Sequence, residues 1–158
     1  MECPMRLRHP AFLATLLLPA VAVLGAWRHA PAPEAPPVLR VVKSATCGCC
    51  QAWADYMATQ GFTVQVENRE EWTALRRANG VTRELESCHT AFVDGIVVEG
   101  HVPADLVKKV LREKPKGVKG LSAPGMPRGS PGMEGPIKDR YTVYTFDAKG
   151  VKTPYAIR

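Results

Sequence analysis

One turn limits this chain more than anything else in it: Cys47-Gly48-Cys49-Cys50, a Cys-x-x-Cys motif with a third cysteine inside. A β-branched run, Val38-Leu39-Arg40-Val41-Val42, leads into it and reads as a short buried strand. From Cys50 to Gln60 the pattern becomes helical, with Trp53 and Met57 four apart on one face and Gly61 as the stop. The motif therefore sits where a strand gives way to a helix. Free backbone N–H groups and the positive end of the helix dipole favour anionic sulfur at such a place.

The strand-helix alternation continues beyond it. Phe62 to Val66 alternates apolar and polar residues as a second strand. Asn68 and Glu71 have capping-box spacing, opening a helix that turns Trp72, Leu75 and Ala78 inward and ends at Gly80. Thr90 to Val93 and Ile96 to Glu99 flank Asp94-Gly95, a strong hairpin signal. Pro103 suits the first turn of a helix reaching about Arg112. The order β-α-β-α-β-β-α is that of an α/β, thioredoxin-like domain. Five Pro and six Gly between Glu113 and Ile137 argue against regular structure there and predict a long loop, which carries Met126 and Met133. Tyr141 to Phe146 and Val151 to Ile157 read as a closing C-terminal β-hairpin.

The N-terminal region is read separately. Met1 to His9 is basic, and the run Ala11 to Ala26 carries no charge, which together make a secretory signal over residues 1–26. The apolar run is short for a membrane span. Leu24 occupies a position where signal cleavage prefers a small residue, so an uncleaved N-terminal anchor stays open. A Pro-rich linker follows over residues 27–37, and the folded domain is Val38 to Arg158. A domain of that size can bury its own core, so its cysteines are not needed as staples. With the signal cleaved or kept, the folded part is exported, into a compartment where its thiols tend to oxidise. The net charge of +6 comes from scattered Lys and Arg with no aromatic interleaving, which reads as a solvated face and not a nucleic-acid surface.

A second cluster, Ser87-Cys88-His89-Thr90, precedes the third strand. In a thioredoxin-like fold that segment lies across from the Cys-x-x-Cys turn, so four sulfurs and one imidazole converge. Cys49 is awkward for a dithiol enzyme, because a third thiol invites scrambling, and is better explained as a metal ligand. Zinc wants four ligands spread tetrahedrally, which adjacent Cys49 and Cys50 supply poorly. Cu(I) is softer and lets thiolates bridge metals, so crowded cysteines favour it, and thioethers such as Met126 and Met133 bind it too. Plainer roles stand beside these: a structural Cys47–Cys50 disulfide, a hydrogen-bonded His89, and methionines covering apolar surface. His101 stays undecided, a role at the helix start being the commoner use of such a residue.

Cys47-Gly48-Cys49-Cys50, Ser87-Cys88-His89-Thr90-Ala91, Glu99-Gly100-His101-Val102-Pro103 and the loop from Gly125-Met126-Pro127 to Gly132-Met133-Glu134 together resemble the CopG-type periplasmic copper-resistance proteins. The resemblance runs from Val38 to Tyr144. It implies a thioredoxin-like fold, a Cu(I)-thiolate cluster on Cys47, Cys49, Cys50 and Cys88, and a role in copper tolerance, with interconversion of Cu(I) and Cu(II) left open. The expectation is an exported copper-binding protein of the periplasm. His89, Met126 and Met133 complete its candidate metal ligands, no residue is assigned a catalytic role, and its partners are copper ions and other copper-handling proteins. A membrane enters only through an uncleaved N-terminal segment. Two rivals remain: a thiol-disulfide oxidoreductase with Cys47 as nucleophile and Cys50 as resolving thiol, and a zinc-binding interaction module.

Overall fold

The computed structural model describes residues 35–158. The signal, and the linker up to residue 34, lie outside the described residues. Among those described, no helix is long and apolar enough to cross a membrane.

The first strand, β1 (Val38–Lys43), buries Leu39, Val41 and Val42. It is followed by α1 (Gly48–Thr59), β2 (Thr63–Asn68), α2 (Thr73–Ala78), β3 (His89–Val93), β4 (Ile96–Glu99) and α3 (Ala104–Glu113). Three further strands end the chain: β5 (Gly120–Ser122), β6 (Thr142–Phe146) and β7 (Lys152–Ile157). They form a mixed seven-stranded sheet in the order β2-β1-β3-β4-β5-β6-β7. The pairs β1/β2 and β4/β5 are parallel and the rest antiparallel. Pro154 is tolerated because β7 is an edge strand.

Side-chain alternation along the strands divides the core. Ala91, Val93, Val98, Leu121 and Val143 face a layer built from Trp53, Ala54 and Met57 of α1 and Leu106, Val107 and Val110 of α3. Val97, next to Val98 in sequence, and Phe146, three positions beyond Val143, point the other way, where Val81 and Leu85 cover them. Both long helices therefore pack on one face. Each wholly buried aliphatic side chain contributes about 1.5–3 kcal/mol. A disulfide closing a loop as short as Cys47 to Cys50 contributes only about 2 kcal/mol. The core carries the fold, and the cysteines are free for other work.

The β3/β4 hairpin turns where the sequence places it. Asp94 (φ 45°) and Gly95 (φ 79°) both adopt positive φ, as a type I′ turn requires. Four expectations are corrected. Asn68 belongs to β2 and does not cap α2; the helix starts after Trp72, and Glu71 accepts a hydrogen bond from the Thr73 N–H instead. Trp72 and Leu75 are only half-buried and Ala78 is exposed, because this short helix lies beyond the sheet's main layer. Pro103 precedes α3 as its cap and is not its first residue. The Gly- and Pro-rich stretch also contains a strand, β5, buried between β4 and β6.

Candidate metal centre

Helix α1 begins one residue after Cys47, which is its N-cap (φ −78°, ψ 96°). Cys47 and Cys50 thus stand at either end of the first helical turn, and here they are joined as a disulfide. Cys49 and Cys88 are free and half-buried. The Cys49 Sγ lies 3.6 Å from that of Cys47. Cys88 arrives from the segment before β3, and its carbonyl oxygen sits 3.5 Å from the Cys50 Sγ. The sulfurs of Cys47, Cys49, Cys50 and Cys88 all lie within 4.8 Å of one another. The sequence expectation that these four gather is met.

A second group shares Cys88. Its Sγ is 3.6 Å from His89 Nδ1 and 3.0 Å from His101 Nε2, and these three donor atoms also lie within 4.8 Å of one another. Both imidazoles are buried, in edge-to-face contact at 5.0 Å between centroids. The Trp53 ring lies 4.4 Å from that of His89, and its indole N–H donates to the Val102 carbonyl at 3.0 Å. His101 Nδ1 is 2.8 Å from the Pro131 carbonyl, which fixes its Nε2 toward Cys88. His89 Nε2 has no partner among the described residues.

Burial sets the protonation states. Desolvation, aided by the neighbouring Cys49, pushes the Cys88 thiol up to about 12. Without a cation beside it the group stays protonated at neutral pH, and binding a cation there must release a proton. Burial, then His101 and Arg76, hold His89 well below the usual histidine range, and burial likewise lowers His101. Both rings are neutral, the form in which imidazole can coordinate a metal.

His101 is the residue that the sequence reading undervalued. It does not cap α3. Within the hairpin Thr90 pairs with Glu99 and the Gly100 N–H bonds the His89 carbonyl, so one step further out Cys88 faces His101. The Asp94-Gly95 turn and residue counting alone contain that signal. The methionines are not brought in equally. Met126 is exposed, whereas Met133 is half-buried beside Gly132, whose Cα lies against the α1 backbone at Cys49 and Trp53.

Residues 85–133, which contain Cys88, His89, His101 and both methionines, match a family model described as a protein of unknown function, DUF411. No curated protein sequence matches the chain. Two solved structures, described as copper resistance protein CopG in forms 1 and 2, are each 36% identical to it. Each alignment covers 78% of this chain and 98% of the other, with a TM-score of 0.73. The chain belongs to the CopG-type copper-resistance family. The CopG alignments extend well beyond the 85–133 segment, and the likeness is one of overall fold as well as of motif.

Proposed function

We propose that this protein is an exported copper-binding protein that holds Cu(I) in a thiolate-rich site and serves copper tolerance in the periplasm. The observation that carries the reading is the gathering of four cysteine sulfurs within 4.8 Å of one another. Soft, crowded sulfur donors suit Cu(I), which accepts two or three thiolates and shares them between ions. Cys47, Cys49, Cys50 and Cys88 are the proposed ligands, with His89 and His101 as nitrogen donors on the Cys88 side. The position of Cys88 opposite the Cys-x-x-Cys turn supports a thioredoxin-like ancestry for the domain. Met133, next to the glycine that packs on α1, is the proposed gate, and exposed Met126 a handover point.

The Cys47–Cys50 disulfide must open before all four sulfurs are available. That step takes two electrons and two protons, supplied by a dithiol reductant that becomes a disulfide in exchange. Reduced protein handled without oxygen is expected to bind more than one Cu(I) per chain, and Cys49→Ser to bind fewer. Unchanged copper uptake by Cys49→Ser would sink the cluster reading. The disulfide itself favours a second reading, a thiol-disulfide oxidoreductase. That reading predicts insulin-disulfide reduction which survives loss of both Cys49 and Cys88.

A further inference from the structure

We propose that the buried ion pair of Glu99 and Arg76 is the positioning element that holds Cys88 against the α1 cysteines. The inference rests on the reading of Cys88 as a ligand and names what keeps it in place. Cys88 lies just outside β3, where the regular ladder has ended and only an isolated parallel bridge of Ser87 to Gly125 continues it. Side chains add the rest of the grip. One Glu99 carboxylate oxygen accepts from the Ser87 N–H at 2.8 Å, and the other accepts from the Thr90 hydroxyl at 2.6 Å. The Arg76 guanidinium lies 3.0 Å from Glu99, donates to the Ser87 carbonyl at 2.5 Å and reaches the Thr90 oxygen at 3.3 Å. Trp72 stacks on that guanidinium, 4.8 Å from it, and donates its indole N–H to the same Thr90 oxygen at 3.2 Å.

The two charged groups thus grip the chain on both sides of Cys88-His89, at Ser87 and at Thr90. Glu99 is wholly buried and Arg76 nearly so. Burying two charges is a poor way to gain stability, since apolar side chains of the same volume do as well or better. What a fork of five N–H donors and a two-oxygen acceptor supply is geometry. The pair joins three segments distant in sequence, α2, the Ser87–Thr90 stretch and the end of β4, and the residue it surrounds is the one proposed cysteine ligand that lies outside the turn opening α1. Truncating the partner that orients a ligand typically weakens metal binding about tenfold to a hundredfold.

Two measurements on the full chain test this. The first needs no copper: with Cys47 and Cys50 both changed to Ser, diamide takes two hydrogens from Cys49 and Cys88 and closes them into a disulfide, followed by mass spectrometry. Adding Glu99→Gln is expected to slow that closure several-fold. An unchanged rate would overturn the proposal, whatever copper does. The second is anaerobic Cu(I) titration against a chromogenic chelator, comparing the parent, Glu99→Gln, Cys88→Ser and the double variant. Glu99→Gln is expected to weaken binding about tenfold or more, and to add nothing once Cys88 is gone. Equal weakening in both backgrounds would make Glu99 a general structural residue and refute the positioning role. A parent that takes up no Cu(I) would remove the copper reading while leaving the closure rate to decide this one. Should Glu99→Gln fail to fold by circular dichroism, Arg76→Lys, which keeps the charge and loses the fork, takes its place in both measurements.

Discussion

Gly132 offers a sharp check on how the Met-containing loop meets the cysteine helix. Its φ is +80°, and a Cβ built on it would stand 2.7 Å from the Trp53 nitrogen, 2.8 Å from the Cys49 carbonyl oxygen and 3.0 Å from the Trp53 Cα. All three are backbone atoms of α1, which cannot rotate aside. Gly132→Ala therefore carries two costs: about 1–2 kcal/mol for a left-handed alanine, and about 1–3 kcal/mol for overpacking. Gly125, in the same loop at φ +71°, has nothing within 4 Å of its missing Cβ, so Gly125→Ala carries only the first cost. The two variants should differ by about 1–3 kcal/mol in urea unfolding followed by far-UV circular dichroism. In a domain of this size that corresponds to a Tm gap of about 4–12 °C, at roughly 4 °C per kcal/mol. Equal destabilisation by the two substitutions would mean that the loop does not rest on α1, and the gate assigned to Met133 would lose its support.

Two further outcomes are expected. Trp53→Phe deletes the N–H that satisfies the buried Val102 carbonyl beside His101, and should lower unfolding free energy by about 1–3 kcal/mol in the same urea assay. Asp139 is held below the usual carboxylate range by the side-chain and backbone hydrogen bonds of Arg128. A carboxyl whose folded pKa is depressed contributes stability above its unfolded pKa and loses it as pH falls through the folded value. The Tm difference between the parent and Asp139→Asn should therefore be present at neutral pH and shrink only as the pH falls below the ordinary aspartate range, through the depressed folded value.

What could be read from the chain without coordinates depended on local chemistry. The β-branched runs, the Asp94-Gly95 turn and the Cys-x-x-Cys at a strand-to-helix junction are each decided by a few adjacent residues, and each was legible. Cys88 was placed correctly from element order alone. His101 was left undecided although the hairpin turn implies its partner, because its place just before the helix-opening Pro103 suggests a role at the helix start as readily as a cross-strand donor. β5 was hidden for a different reason: Gly120-Leu121-Ser122 is too short for alternation to register, and its Pro- and Gly-rich surroundings outweigh it. The pairing of Arg76 with Glu99 was not legible, since nothing near either residue in sequence reveals that the fold buries them together. The capping box failed because Asn68 was claimed by the ladder to β1, and a full row of sheet bonds outweighs one cap.

The tight Asp94-Gly95 reversal has an evolutionary corollary. Because the cysteine and the histidine are equidistant from it, their encounter depends first on strand length. One amino acid gained or lost in either arm would swing the imidazole to the opposite side of the sheet. Descendants of this protein can therefore vary the hairpin residues that neither pack the core nor hold Ser87 and Thr90, yet they must conserve its count.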